Sequence, residues 1–139
     1  MVNYEILHPE ILGSLAELGH GSGILIADGN YPLKNGALQN VKRVYLNFAP
    51  GLLSVPDILK YIVKAVPIEA AAAPVPEDGT EPPIFPEYKS ILPKEIEIQK
   101  LQRFDFYKAV KSEDTALVIA SGETRIYACI LLTLGVRPF

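Results

Sequence analysis

Short runs of apolar residues, without polar residues alternating between them, limit the folds that this chain can adopt. Residues 23–27 (GILIA) and 115–120 (TALVIA) are almost wholly apolar. A strand buried on both faces reads as a continuous apolar run, whereas a strand with one solvated face alternates. Helical patterns stand between strands of this kind along the chain. The pattern therefore favours an α/β sandwich with a mainly parallel sheet.

The remaining elements are predicted from local signals. Pro9 suits the first turn of a helix that ends at Gly19 or Gly21, and Ser54 caps a second helix with Pro56 just inside it. A third helix is predicted over residues 104–111. We expect further strands at residues 41–48, 68–73, 96–101 and 127–132.

The segment 74–86 holds five of the twelve prolines together with Glu77, Asp78 and Gly79. A segment of this length and composition predicts a loop that forms a surface excursion or a contact arm. We expect one or two helical turns to follow at residues 87–92.

Length and composition bound the class of protein. A length of 139 residues predicts one domain, 1–139. The net charge of −3 and the lack of a basic cluster argue against binding of nucleic acid. Its single cysteine excludes an intramolecular disulfide and a Cys-rich metal site. No apolar stretch approaches the ~20 residues of a spanning helix, so we expect a soluble, cytoplasmic protein without membrane contact. The positive mean hydropathy favours a homo-oligomer.

A histidine and an aspartate flank the first apolar strand, within LAELGHGSGILIADGNYP at residues 15–32. His20 either caps the last carbonyls of the preceding helix or acts as a general acid or base, since imidazole titrates closest to neutral pH. Asp28 either forms an Asx turn before Gly29 or binds a ligand beyond the carboxyl end of the strand. Because only a tight bend and a strand separate them, we expect the two groups to act together.

Glycines stand at positions 19, 21 and 23, but their place between a helix and a strand argues against nucleotide binding. A phosphate-binding turn follows a strand and opens a helix, whereas this segment follows a helix and opens a strand. The sequence also lacks the Gly-Lys-Ser/Thr triplet of a P-loop.

Two later motifs carry further candidate residues. In RFDFYKA, residues 103–109, Arg103 opens a helix against the macrodipole, a cost of about a few tenths of a kcal/mol, so it forms a surface salt bridge or has a function. In SGETRIYA, residues 121–128, Tyr127 stands at the entry to the last strand, where it packs or binds a hydroxylated ligand. Cys129 is expected to be a small buried hydrophobe in that strand.

The segments ELGHGSGILIADGNYP, RFDFYKA and SGETRIYACILLTLGVRP resemble the ribose pyranase and L-fucose mutarotase family. Gly-His-Gly, an aspartate eight residues after the histidine, Arg-Phe-x-Phe-Tyr and Ser-Gly-Glu with a downstream tyrosine occur together and in this order. Arg-Phe-x-Phe-Tyr and Gly-Glu-Thr are closer to the fucose branch. The resemblance covers both ends of the chain, while residues 52–88 fit in general character more than by motif.

The resemblance implies a three-layer α/β sandwich, assembled as a decameric ring, that needs no cofactor and no metal. It implies a sugar mutarotase, an isomerase that opens and recloses the ring of a free monosaccharide such as L-fucose by acid/base chemistry. The residues that it places at the site are catalytic His20 and Tyr107 and substrate-binding Asp28, Arg103, Tyr127 and Cys129.

Two departures from the family pattern leave alternatives open. Cys129 stands where the family has an asparagine, and a thiol replaces poorly an amide that both donates and accepts hydrogen bonds. The segment LNFAPG, residues 46–51, replaces an Arg-Ala-Asp-Gly sequence of the fucose branch. A non-catalytic monosaccharide-binding module and a structural oligomer without a ligand therefore remain alternative functions.

Overall fold

The computed structural model describes residues 1–138. Its helices are α1 (Pro9–Glu17), α2 (Val55–Ala65), α3 (Phe85–Ile91) and α4 (Arg103–Val110). Its strands are β1 (Gly23–Ala27), β2 (Lys42–Tyr45), β3 (Ile68–Val75), β4 (Ile98–Gln102), β5 (Thr115–Ala120) and β6 (Ile130–Leu134). The predicted bounds of β1 and β5 are confirmed to the residue, and α1 and α4 lie where the helical spacing predicts them.

The strands form one six-stranded sheet with the order β2-β5-β1-β6-β3-β4. Five strands run in one direction, because the β1–β5, β2–β5 and β3–β4 pairs are parallel, while β6 runs in the opposite direction between β1 and β3. The prediction of a mainly parallel sheet is confirmed. The carboxyl ends of five strands and the amino end of β6 therefore meet at one edge of the sheet, here called the carboxyl edge.

Helices cover both faces of the sheet, which confirms the three-layer α/β sandwich. All five residues of β1 are buried, as its unbroken apolar sequence predicts. Ile24 and Ile26 belong to the core shared with α1, α2 and α3, whereas Leu25 and Ala27 belong to a second core with α4. None of the helices within residues 1–138 has the length and apolarity that a membrane span requires.

The segment 31–41 completes the layer that contains α4, and Arg43 of β2 holds it in place. The guanidinium donates hydrogen bonds to the carbonyls of Leu33 (2.7 Å), Val41 (2.9 Å), Ala37 (3.1 Å) and Leu38 (3.1 Å). These carbonyls lie in irregular structure without a strand ladder, so one arginine supplies them with hydrogen-bond donors.

The prediction of a loop over residues 74–86 was wrong at both of its ends. Pro74 and Val75 belong to β3 and are buried, and α3 begins at Phe85, which is fully buried. Pairing between β3 and β6 ends at Ala72, so Pro74 has a strand neighbour only on the β4 side. A proline is tolerated where a strand is paired on one side only, because its missing N–H costs no hydrogen bond of the sheet there.

The last strand begins later than predicted. Its regular pairing starts at Ile130, and the residues before it form a turn in which Tyr127 has a left-handed backbone with φ of 53°. Cys129 therefore lies directly before β6 and not inside it. The strand predicted over residues 41–48 is also shorter, since only Lys42–Tyr45 pairs with β5.

The start of α2 generates a stability prediction. The Ser54 hydroxyl accepts the N–H of Asp57 (3.2 Å), and the Asp57 carboxylate accepts the N–H of Ser54 (3.1 Å), which together form a capping box. The Ser54 hydroxyl and its backbone N–H hold the pKa of Asp57 below its usual value. We expect Ser54→Ala to lower the free energy of unfolding by about 1 kcal/mol at pH 7.

The pH dependence follows from the lowered pKa of Asp57. Its stabilising contribution is fully present above about pH 4, the usual pKa of an aspartate, and is lost as the pH falls through the folded-state pKa. In urea unfolding at a fixed protein concentration, the difference in the free energy of unfolding between Ser54→Ala and the parent should therefore become smaller at about pH 2–3. The matched control is Ser90→Ala, since Ser90 lies within α3 and caps nothing. An equal loss in both variants would contradict the capping box.

Candidate functional site

A pocket of about 250 Å³ opens at the carboxyl edge of the sheet. The side chains that line it come from segments that end or begin strands, since Asp28 follows β1 and Arg103 follows β4. Five of the six predicted site residues line this pocket: Asp28, Arg103, Tyr107, Tyr127 and Cys129. The reversed direction of β6 brings the last two to the edge where the other strands end. The sixth, His20, lies elsewhere.

Asp28 is fixed by two backbone hydrogen bonds. Its Oδ1 accepts the N–H of Asn30 (2.9 Å), which is an Asx turn, and its Oδ2 accepts the N–H of Ala128 (3.1 Å). The residue is only 6% exposed and still lines the pocket. The Asx turn considered for Asp28 is therefore present, and the same side chain also faces the pocket. A carboxylate has about four acceptor sites, so each oxygen retains capacity for a ligand hydroxyl.

The loops after β1 and β5 contact each other next to Asp28. The N–H of Gly29 donates to the carbonyl of Glu123 over 2.8 Å. A Cβ at position 29 would lie 2.8 Å from that same oxygen, so a larger residue would push the two loops apart. The Ser121 hydroxyl adds a second link by donating to the carbonyl of Ala27 (2.5 Å). The backbone beside Asp28 is therefore held from both sides.

Aromatic residues and one arginine form the wall on the α4 side. The ring of Tyr107 packs edge-on against Tyr31 with centroids 5.4 Å apart. The guanidinium carbon of Arg103 lies 4.9 Å from the ring centroid of Phe104 and 5.9 Å from that of Tyr107. These cation–π contacts hold the guanidinium of Arg103 against the two aromatic rings. Burial raises the pKa of Tyr31, whose hydroxyl donates to the carbonyl of Gly36 (2.8 Å).

Cys129 contributes a neutral sulfur to the pocket floor. Its side chain is buried, and its Sγ accepts the N–H of Asp28 over 3.3 Å. Burial raises the pKa of the thiol, and the adjacent Asp28 carboxylate raises it further. The thiol is therefore protonated at neutral pH. Within residues 1–138, no three histidine, cysteine, aspartate or glutamate side chains are grouped so as to hold a metal ion.

His20 does not meet Asp28 within one chain, contrary to the expectation from their spacing. It precedes β1 at the opposite edge of the sheet, and the extended backbone from Gly23 to Ala27 places the two ends of β1 roughly 13 Å apart. Its Nε2 lies 2.9 Å from Oε2 of Glu69, at the start of β3, and its side chain is 60% exposed. The capping role considered for His20 is replaced by this contact with Glu69.

The remaining pocket residues were missed by sequence reasoning: Asn30, Tyr31, Pro74, Phe106 and Ile126. Asn30 and Tyr31 follow Asp28 directly, Phe106 stands within RFDFYKA, and Ile126 precedes Tyr127. Their position inside or beside the motifs was the available signal. Pro74 had no such signal, because its sequence context predicts a loop.

Comparison with known proteins finds a matching family and relatives of similar length. Residues 1–137 match the RbsD / FucU transport protein family. The human protein "Fucose mutarotase" is 34% identical over 144 residues, which cover 94% of this chain and 90% of that protein.

Two solved structures share the fold over nearly their whole length. The fucose mutarotase from Streptococcus pneumoniae in complex with L-fucose is 28% identical, with a TM-score of 0.82 over 99% of this chain and 100% of that one. Bacillus subtilis RbsD complexed with D-ribose is 26% identical, with a TM-score of 0.85 over the same shares.

The state of the thiol generates a prediction. Because Cys129 is buried and its pKa is raised, we expect the native chain to react with a thiol reagent at pH 7.5 at least about tenfold more slowly than the unfolded chain. Cys129 is the only cysteine, so absorbance of the released chromophore reports this site alone. The urea-unfolded chain is the control. A native rate within a factor of about two of that control would mean an accessible, ionised thiol.

Proposed function

The chain belongs to the RbsD / FucU transport protein family, and we propose that it is a sugar mutarotase that opens and recloses the ring of a free monosaccharide such as L-fucose. The observation that carries the proposal is the pocket at the carboxyl edge, which combines a fixed carboxylate, a guanidinium and phenol groups. Such groups recognise sugar hydroxyls, and the matched proteins include structures in complex with L-fucose and D-ribose.

The chemistry of mutarotation suits these side chains. Ring opening needs a proton delivered to the ring oxygen while the anomeric hydroxyl loses one, and reclosure on the other face reverses both transfers. A positioned acid–base pair contributes about 10²–10⁴-fold, or roughly 3–5 kcal/mol of the barrier. Electrons are not exchanged at any step, so proton transfer and orientation are the whole task of the protein.

Asp28, Arg103 and Tyr127 are proposed to bind the sugar. The fixed Asp28 oxygens accept hydrogen bonds from two hydroxyls, and the guanidinium of Arg103 donates to oxygens from the opposite wall. Tyr127 packs its ring against the apolar side of the sugar. Together these contacts hold the anomeric centre in one place, which is how binding reduces the entropic part of the barrier.

Tyr107 and His20 are proposed to transfer the protons. Tyr107 lies in the pocket, within reach of a bound sugar, whereas His20 lies at the other edge of the sheet. The strand between them is buried and hydrogen-bonded on both sides, so His20 cannot move to the pocket of its own chain. We therefore propose that His20 of a neighbouring copy completes each site.

Exposed apolar residues at the pocket support an assembly of this kind. Phe104 is 72% exposed and packs edge-on against Tyr107, and Ile126 is 69% exposed beside Tyr127. Apolar surface around a polar pocket is typical of a site that another protein surface covers. We propose a homo-oligomer that closes the pocket in this way, with the decameric ring implied by the sequence resemblance as the assembly to test.

Cys129 favours a second candidate function, a non-catalytic monosaccharide-binding module. The family asparagine would offer an amide to the sugar, whereas the Cys129 sulfur is occupied by the N–H of Asp28. A thiol is only a weak donor and acceptor, so the pocket loses a polar contact that could order the transition state. Binding of L-fucose without faster anomer exchange would select this function.

The first test is anomer exchange by saturation-transfer NMR with L-fucose, followed by other aldoses. We expect the protein to accelerate exchange and His20→Ala to lower kcat by about 10²-fold or more. His8→Asn is the matched control, because His8 accepts the N–H of Ile11 as the N-cap of α1 and asparagine preserves that cap. Activity that survives in His20→Ala would remove the histidine from the mechanism.

A mixing experiment tests whether the site is shared between copies. His20→Ala and Asp28→Asn should each be nearly inactive alone. When the two are unfolded together and refolded as mixed oligomers, about a quarter of the sites pair an intact Asp28 with an intact neighbouring His20, and activity should return to about that fraction. Two variants that stay inactive after co-assembly, while the parent refolds to full activity, would contradict the shared site.

A further inference from the structure

Tyr127 has an unusual backbone for a bulky residue. Its φ of 53° is in the left-handed region, which costs an L-residue other than glycine free energy and persists only where the surroundings enforce it. Tyr127 lines the pocket, so the conformation decides where its ring lies. The residues on either side of Tyr127 must therefore supply the constraint.

A carboxylate and an arginine fix the turn before Tyr127. Glu123 is 3% exposed, and its carboxylate accepts hydrogen bonds from Nε and Nη2 of Arg125, both over 2.9 Å. The same carboxylate accepts the backbone N–H of Arg125 (3.0 Å) and that of Val55 (3.3 Å) at the start of α2. Nη1 of Arg125 also pairs with Glu87 in α3. The turn is thus tied to two helices.

Electrostatics support this arrangement. Burial by itself would raise the pKa of Glu123, but the guanidinium and the backbone N–H of Arg125, together with the N–H of Val55, hold it below its usual value. Glu123 is therefore ionised at neutral pH, and its charge also faces the amino end of α2, where the helix dipole favours an anion.

Two further hydrogen bonds fix the residue after Tyr127. The N–H of Ala128 donates to Oδ2 of Asp28 (3.1 Å), and the Tyr88 hydroxyl donates to the carbonyl of Ala128 (2.6 Å). Tyr88 is fully buried in α3, which also carries Glu87. The peptide groups before and after Ala128 are thereby both held, and the backbone of Tyr127 is left with little freedom.

We propose that Arg125, through Glu123, is a positioning residue for the sugar pocket: it holds the 123–128 turn so that Tyr127 keeps its left-handed backbone and its ring faces the sugar. The inference rests on the proposed function for its substrate. Arg125 does not line the pocket, so its effect on the sugar is transmitted by Tyr127.

We expect Arg125→Gln to lower the free energy of unfolding, because the buried Glu123 carboxylate loses its two hydrogen bonds to the guanidinium, and yet to leave the chain folded. The Arg125 side chain is 42% exposed, and its pair with the exposed Glu87 is of a kind that contributes little to stability. Without the guanidinium, Glu123 retains the backbone N–H groups of Arg125 and Val55. The substitution should therefore loosen the turn and leave the sheet intact.

The test is a double-mutant cycle between Arg125→Gln and Tyr127→Ala. We expect Arg125→Gln to weaken binding of L-fucose about fivefold in the parent, with a smaller change in kcat, and to have no further effect in the Tyr127→Ala background. Arg125→Lys keeps the charge but not the two-pronged contact, so its affinity for L-fucose should lie between those of the parent and Arg125→Gln. The matched control is Lys64→Gln, which removes an exposed pair with Glu5 and should change nothing. Equal weakening in both backgrounds, or none in the parent, would overturn the proposal.

A second measurement needs no sugar. Hydrogen exchange of the Ala128 amide should become about tenfold faster in Arg125→Gln, because the turn opens more often, while the amides of β1 keep their protection. An unchanged Ala128 amide would overturn the positioning role. If the parent itself binds no sugar and accelerates no exchange, the proposed function fails, and the Ala128 amide still decides whether Arg125 holds the turn.

Discussion

The hydrogen bond between the Ala128 N–H and the Asp28 carboxylate holds the candidate site together. It joins residues one hundred positions apart in the sequence, and both are buried. A hydrogen bond to a charged group contributes about 1.5–3 kcal/mol, and a buried carboxylate that loses such a partner is costly. The bond is possible because β6 enters the sheet antiparallel beside β1. If β6 ran parallel to β1 instead, residues 127–129 would lie at the opposite edge, and Asp28 would face none of them.

The same sheet that assembles the pocket keeps His20 away from it. β1 is paired with β5 on one side and β6 on the other, and its residues are buried on both faces. A strand held in this way is a rigid spacer, so the separation of its two ends does not depend on loop motion. His20 and Asp28 can act on one sugar only if two chains contribute, which links the proposed activity to assembly. The apolar side chains of Phe104 and Ile126 at the pocket give such an assembly a surface to bury.

Much of the fold could be predicted from sequence because the decisive signals are local. The unbroken apolar runs of β1 and β5 and the capping residues of α2 depend only on neighbours in the chain. Pro74 was misassigned because a proline signals a loop unless the strand beside it ends early, and that depends on where β6 begins. The left-handed Tyr127 was missed for a similar reason. Its conformation is enforced by Glu123, Tyr88 and Asp28, which sequence spacing does not bring together.

Sequence reasoning predicted which candidate residues matter but not how they are arranged in space. Motif resemblance named Asp28, Arg103, Tyr107 and Tyr127, which the fold brings to one pocket, but chain separation alone made His20 and Asp28 look adjacent. Residues a few positions apart in sequence lie close together in a turn or a helix. Across an extended strand, each residue adds about 3.3 Å to the distance between them.

Cys129 supports the backbone beside it but offers little to a ligand. The sulfur accepts the N–H of Asp28, so the backbone that presents the carboxylate keeps a partner at a position where the sequence resemblance implies an asparagine. What the substitution removes is the outward donor that an amide would offer to a ligand. The floor of the pocket is then largely apolar, with Phe106 and Tyr31 beside the sulfur, and polar recognition is left to Asp28 and Arg103 on the walls. We expect a substrate of the proposed reaction to present a hydrogen or a methyl group towards this floor and not a hydroxyl, because an unpaired buried hydroxyl costs about 1–3 kcal/mol.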